Sequence, residues 1–146
     1  MANEQIIIDD GLKVYDLASA SGKVYGQIVF NPSDTNLVKR YKIAVEKLQN
    51  VLDTVGDPEE RKKINPDNPF EDLDPLVYQI VDELLNNADA SKLIFSVCGP
   101  FSPLPSKQFY IESVFLAVGN VIEKETGERV KRINTKVKKY TGKYHA

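Results

Sequence analysis

The side chains able to do chemistry are few and poorly placed for it. The only histidine, His145, is the next-to-last residue of the 146, a poor position for a histidine-centred triad. The only cysteine, Cys98, closes an apolar run with no base beside it, so a buried thiol is expected there rather than a nucleophile. One cysteine and one histidine cannot make a Cys/His zinc site or a disulfide framework. The densest carboxylates are Asp67, Glu71, Asp72 and Asp74. They could make a two-acid site or bind a divalent cation, but the glycine and terminal glutamate of a calcium loop are missing. No GxxxxGK[ST] or GxGxxG phosphate turn occurs. The expectation is a protein that is not an enzyme and carries no cofactor or metal.

The strongest chemical feature is basic. Arg129, Lys131, Arg132, Lys136, Lys138, Lys139 and Lys143 share residues 129–146 with no acid. Between them Val130, Ile133, Val137, Tyr140 and Tyr144 recur at three- and four-residue spacing, the seam of a helix that packs on something. These twelve residues are the expected partner-binding set. A helix docking on an acidic partner, a nucleic-acid contact and a membrane-surface helix compete with a plain solvated helix. The membrane reading is weakest, because the apolar face lacks Trp, Phe and Leu. Clustered Lys and Arg suffice for phosphate, so charge alone does not remove nucleic acid, which is nevertheless not favoured.

The formal charge of −2 hides this asymmetry. Residues 1–128 carry 12 basic and 21 acidic side chains, net −9, while residues 129–146 carry +7. Such a chain can join head to tail with copies of itself or fold its basic end onto its own surface. Hydrophobic content of 42% and charged content of 27% suit a single globular domain. No apolar run approaches the roughly 18 residues of a membrane span. The N-terminal residues lack the marks of a secretory signal, so an intracellular soluble protein is expected.

The elements that must position these groups follow from periodicity. Gln5–Asp9, Leu12–Leu17 and Lys23–Phe30 predict two or three antiparallel strands, with turns at Asp9-Asp10-Gly11 and Ala18–Gly22. So small a sheet needs a cover, and its free edges offer a route to a homo-oligomer. Ser33 or Asp34 then caps a helix whose stripe is Leu37, Val38, Tyr41, Ala44, Val45, Leu48, Val51, Leu52 and Val55. Gly56 is expected to end it in a left-handed conformation, with Pro58 preventing resumption. Asp57 to Leu73, with three prolines and six acids, predicts a long exposed acidic loop in which Glu59–Ile64 adds at most one turn. Asp74-Pro75 starts a second helix with Leu76, Val77, Ile80, Val81, Leu84, Leu85 and Ala88, ended by Asn86–Asp89. Ser91–Cys98 predicts a short helix stopped by Gly99-Pro100. After a rigid Phe101–Pro105 loop, Ser106 caps a helix carrying Phe109, Tyr110, Val114, Phe115, Val118, Val121 and Ile122, which stops at Thr126-Gly127. Gly119 within it permits close approach by a neighbour.

The fold class expected is α+β: a small N-terminal antiparallel sheet, a bundle of about four helices and a basic C-terminal helix. Residues 1–128 form one domain (1–31 β-rich, 33–127 helical, 57–73 the acidic loop), and 129–146 form the tail. The expected core is Ile28, Phe30, Leu37, Val38, Tyr41, Val45, Leu48, Leu52, Ile80, Leu84, Phe95, Phe115, Val118 and Ile122.

Three landmarks carry a resemblance. They are Phe30-Asn31-Pro32-Ser33-Asp34-Thr35-Asn36 with Lys39-Arg40-Tyr41, then Val97-Cys98-Gly99-Pro100-Phe101-Ser102-Pro103, and last Phe115–Ile122 leading into Glu123–Lys131 and Lys138-Lys139-Tyr140. From about Gly11 to Tyr144 the chain resembles small proteins of Gram-positive phages and prophages, an uncharacterised family within the tail assembly chaperone group. The resemblance implies action in the host bacterial cytoplasm, binding of the tape-measure protein, recruitment of the tail-tube protein, oligomerisation and absence from the finished virion. It carries over no catalytic residue. The alternatives are a tail component retained in the virion and a basic-tailed nucleic-acid binder of a mobile element. The acidic stretch 57–73 has no evident counterpart in that family.

Overall fold

A computed structural model describes residues 3–64 and 67–133. Lys13–Ala18 (β1) and Val24–Phe30 (β2) form one antiparallel pair, with Lys13 opposite Phe30, Val14 opposite Val29 and Tyr15 opposite Ile28. The register shifts between Leu17 and Ala18, next to the turn. Alternation places Tyr15, Leu17, Ile28 and Phe30 toward the helices, and Tyr15 stacks on Phe30. The third expected strand, Gln5–Asp9, is exposed chain without regular structure, because no neighbouring strand satisfies its backbone.

Thr35–Gly56 (α1) follows, capped by Asp34, whose carboxylate accepts the Asn36 amide at 2.8 Å. Its face of Leu37, Tyr41, Ala44, Val45, Leu48, Leu52 and Val55 is buried. Gly56 does not take the expected left-handed conformation. It remains helical, and Asp57 breaks the helix with extended backbone. Pro58 then opens a new helix, Pro58–Ile64 (α2), instead of only ending the old one.

The expected acidic loop is therefore mostly helix. Pro69–Leu85 (α3) begins five residues earlier than Asp74, and Pro75 lies inside it. Two forces explain the difference. Proline costs nothing at a first helical position, as at Pro58 and Pro69, and Glu59, Glu60, Glu71 and Asp72 face the positive helix ends. Phe70 and Leu73 also extend the stripe of Val77, Ile80, Val81 and Leu84 backward, so burial outweighs the one backbone hydrogen bond that Pro75 cannot donate. Asn86 ends α3 in a left-handed conformation, within the predicted stop.

Ala90–Ile94 (α4) is shorter than the predicted Ser91–Cys98 helix. The Ser96 hydroxyl donates to the Leu93 carbonyl at 2.6 Å, diverting the chain into turns. Gly26 lets α4 meet the sheet, since a β-carbon there would sit 2.7 Å from Leu93 Cδ1. Tyr110–Thr126 (α5) starts after the residue sequence periodicity had placed inside it: Phe109 is the buried cap, and its amide donates to Glu112 Oε2 at 2.7 Å. Ser106 belongs instead to the turn that pairs Pro103 with Phe109. Gly127 ends α5 at φ 72°, as its position predicts.

The architecture is α+β: a two-stranded sheet and, among the described residues, five helices. α3 packs along α1, and α5 reaches α1 through Tyr41 and Phe115. Eleven of the fourteen expected core residues are buried; Val38, Phe95 and Val118 are half-buried. Val77, Ile94 and Ile111, omitted from that expectation, are fully buried.

Candidate protein-binding surface

The basic segment divides at the end of the described residues. Glu128–Ile133 is not helical, so in this part the seam predicts the wrong backbone but a correct contact. Val130 is buried, and its amide donates to Glu123 Oε1 at 3.1 Å. Arg132 donates to Glu123 Oε2 at 2.6 Å and to Asn120 Oδ1 at 3.2 Å, and Lys131 pairs with Glu46 at 3.5 Å. Ile133 packs on the core, and Arg129 is exposed. Residues 130–133 thus fold onto α1 and α5 of their own domain. Lys136, Val137, Lys138, Lys139, Tyr140, Lys143 and Tyr144, the rest of the expected set, lie outside the described residues.

Beside this strap a hollow of about 290 Å³ is lined by Tyr41, Gln108, Glu112, Phe115, Leu116, Arg132 and Ile133. Tyr41 is its floor. The hydroxyl donates to the Phe115 carbonyl at 2.8 Å, and burial pushes the phenol up to about 12. Gly119 makes room for that hydroxyl: a β-carbon there would lie 2.7 Å from it and 2.9 Å from Arg132 Nη1. The close approach anticipated at this glycine is therefore made by Tyr41.

A second surface runs along α1 and α3. One hollow of about 240 Å³ is bounded by Arg40, Ile43, Ala44, Lys47, Ile80, Glu83 and Leu84. It continues past Lys47 into another of about 300 Å³ bounded by Asn50, Val51, Leu76 and Gln79. Ile43 and Leu76 face each other's helix across this trough yet remain 51% and 49% exposed. Lys47 and Glu83 bridge the trough at 3.2 Å. A hydrogen bond from Gln79 and the charge and hydrogen bond of Lys47 hold the Glu83 carboxyl below its ordinary range. Arg40 closes one end, donating from Nε to the Leu84 carbonyl and from Nη1 to Asp34. An open, largely apolar trough between two packed helices, fenced by paired charges, is a shape that receives a third helix.

Sequence reasoning misses this trough. Ile43 lies outside the α1 stripe and was its only available signal, an apolar residue on the wrong face. Leu76 is assigned to the core stripe of α3, where its position one residue before Val77 instead points it toward the flank.

The other candidates come apart in space. Asp67, Glu71, Asp72 and Asp74 lie on or beside the start of α3, and burial raises the Asp74 carboxyl above its ordinary value. No group of three or more potential metal ligands exists among the described residues. Cys98 is half-buried after α4, while His145 lies outside the described residues. No described helix is long and apolar enough to cross a membrane. Neither a family model, nor a curated protein, nor a solved structure matches the chain.

Proposed function

We propose that this chain is a non-enzymatic adaptor of phage tail assembly, a tail-assembly-chaperone-like protein that holds an amphipathic helix of the tape-measure protein in the α1–α3 trough. The supporting observation is the trough itself, with Ile43 and Leu76 half exposed on opposite walls. A helix offering apolar residues at i, i+3, i+4 and i+7 would cover both. Its side chains would meet Lys47 and Glu83, which can exchange their mutual pairing for partner charges. The basic residues beyond Ile133 steer an acidic partner, and the tail-tube protein is recruited to the same assembly. The protein works in the host bacterial cytoplasm and leaves before the virion is complete.

The test is co-purification of the tape-measure protein by wild-type chain and by Ile43→Asp and Leu76→Asp variants. Both side chains are already half exposed, so the fold should lose no more than about 0.5 kcal/mol. Capture should fall at least tenfold in each variant. Undiminished capture refutes the trough as the contact. Truncation must begin after Ile133, because an earlier cut removes the buried Val130 and confounds binding with folding. Mass spectrometry of purified virions separates an assembly factor, which is absent, from a retained structural component, which is present.

A further inference from the structure

The N-terminal residues present an exposed β-branched segment, and the sheet presents an open edge. Ile6, Ile7 and Ile8 are 94%, 87% and 75% exposed, three consecutive β-branched residues in contact with water. Among the described residues the sheet has two strands only, so each has one outer edge. The edge of β2 is covered: Asn87 Nδ2 donates to the Val29 carbonyl at 3.3 Å, and α4 packs against that strand. Among the described residues no side chain hydrogen-bonds the backbone of β1 in this way. On its outward face Val14 is 65% exposed opposite Val29, with Leu12 just before it, and Gln27 donates to Asp16 at 3.1 Å farther along.

We infer that residues Gln5–Asp9 of one copy add as a third strand to the β1 edge of a second copy. The segment is held away from its own edge. Asp9 and Asp10 accept the amides of Gly11 and Leu12, closing two successive turns, and Gly11 sits at φ 69°. The Asp10 carbonyl accepts from Asn31 Nδ2 at 3.0 Å, which ties the connection to the residue after β2, on the far side of β1 from the open edge. With these bonds in place the segment leaves the turn unpaired to its own β1.

Charge favours the same occupant. The three isoleucines are bracketed by Glu4 on one side and Asp9 and Asp10 on the other. The hairpin carries Lys23 at its turn and, at its other end, Lys13, which pairs with Glu125 at 3.1 Å, so the acid-flanked segment would meet a basic side chain at either end of the hairpin. In a pair of copies each supplies one segment and one β1 edge, so the exchange is reciprocal and closes as a dimer.

The experiment is light scattering on the full chain across a concentration series, with Ile7→Pro and Ile43→Asp as variants. Proline removes an amide the added strand needs, at a residue exposed enough to leave the fold intact. Wild type should move from once to twice the 16.4 kDa chain mass as concentration rises, Ile7→Pro should stay at once, and Ile43→Asp should behave as wild type. A wild type that stays monomeric, or an Ile7→Pro variant that still doubles, overturns the inference. A loss of doubling only in Ile43→Asp assigns self-association to the trough and also overturns it. Hydrogen exchange at Lys13–Ala18 gives the second readout: protection must rise with concentration, and concentration-independent protection would mean the strand folds onto its own edge.

Discussion

The contact between Tyr41 and Gly119 is tight enough to be tested by a double-mutant cycle. Gly119→Ala should gain about 1 kcal/mol of helix propensity in α5. The new methyl, however, would stand 2.7 Å from the Tyr41 hydroxyl and 3.2 Å from its Cζ. Tyr41 is 1% exposed and pinned by its bond to Phe115, so its ring cannot retreat; Arg132 Nη1, at 2.9 Å, is the end of a flexible chain and can. Overpacking of this kind costs about 1–3 kcal/mol, which leaves Gly119→Ala about 1 kcal/mol less stable than wild type. Tyr41→Phe loses one net hydrogen bond, also about 1 kcal/mol. In the double variant the hydroxyl that collides is gone and the propensity gain survives. Its loss should be under about 1 kcal/mol, rather than the roughly 2 kcal/mol of simple addition. Equilibrium urea unfolding of the four proteins measures all three differences. Additive losses, or a Gly119→Ala protein as stable as wild type, would refute the packing argument.

Three further outcomes are expected. The Tyr41 phenol is raised to about 12 from an ordinary 10, so the unfolded chain loses this proton first; stability is fully present below pH 10 and falls by up to about 2–3 kcal/mol toward pH 12. Tyr41→Phe should flatten that fall in urea titrations at each pH. Asp82→Ala removes the acceptor of both the Ser91 amide, at 2.7 Å, and the Ser91 hydroxyl, at 3.0 Å, leaving buried donors at the start of α4. It should cost about 2 kcal/mol, with hydrogen exchange at Ser91 accelerated before that of α1. Glu123→Ala frees both Val130 and Arg132 and should cost about 1–2 kcal/mol, whereas Glu123→Gln, which keeps an acceptor for the Val130 amide, should cost under about 1 because the Arg132 pair is partly exposed. Exchange at the Val130 amide distinguishes the two.

The elements legible in the sequence are those where one strong signal acts alone. The α1 stripe, the Asp34 cap, the Asn86 stop and the Gly127 stop each depend on local chemistry, and each lies within the predicted span. Prediction fails where two local signals oppose each other. Pro58 and Pro69 read as breakers and Pro75 as a helix start, but a proline at a first helical position and a proline in a helix interior look alike until packing is known. Phe70 and Leu73 held the deciding information, since they continue the stripe of α3 across Pro75. The candidate site was legible only in part. Spacing correctly marks Val130 and Ile133 as packing residues but not their non-helical backbone, which depends on Glu123 reaching the Val130 amide. The trough was hidden because exposure of Ile43 is a property of the space between helices, which no single-helix periodicity contains.

The strap formed by residues 130–133 bears on the order in which the molecule is built. Tyr41 takes its hydrogen-bond partner 74 residues later, and Lys13 meets Glu125 112 residues later. The apolar face of α1 is therefore synthesised long before the groups that close over it. A nascent chain carrying α1 to α3 alone would display the side of Tyr41 that Phe115 later covers, in addition to the trough that stays open in the complete fold. Among the described residues the short basic strap is the last packing segment to be synthesised, and its Val130 completes the cover over α5.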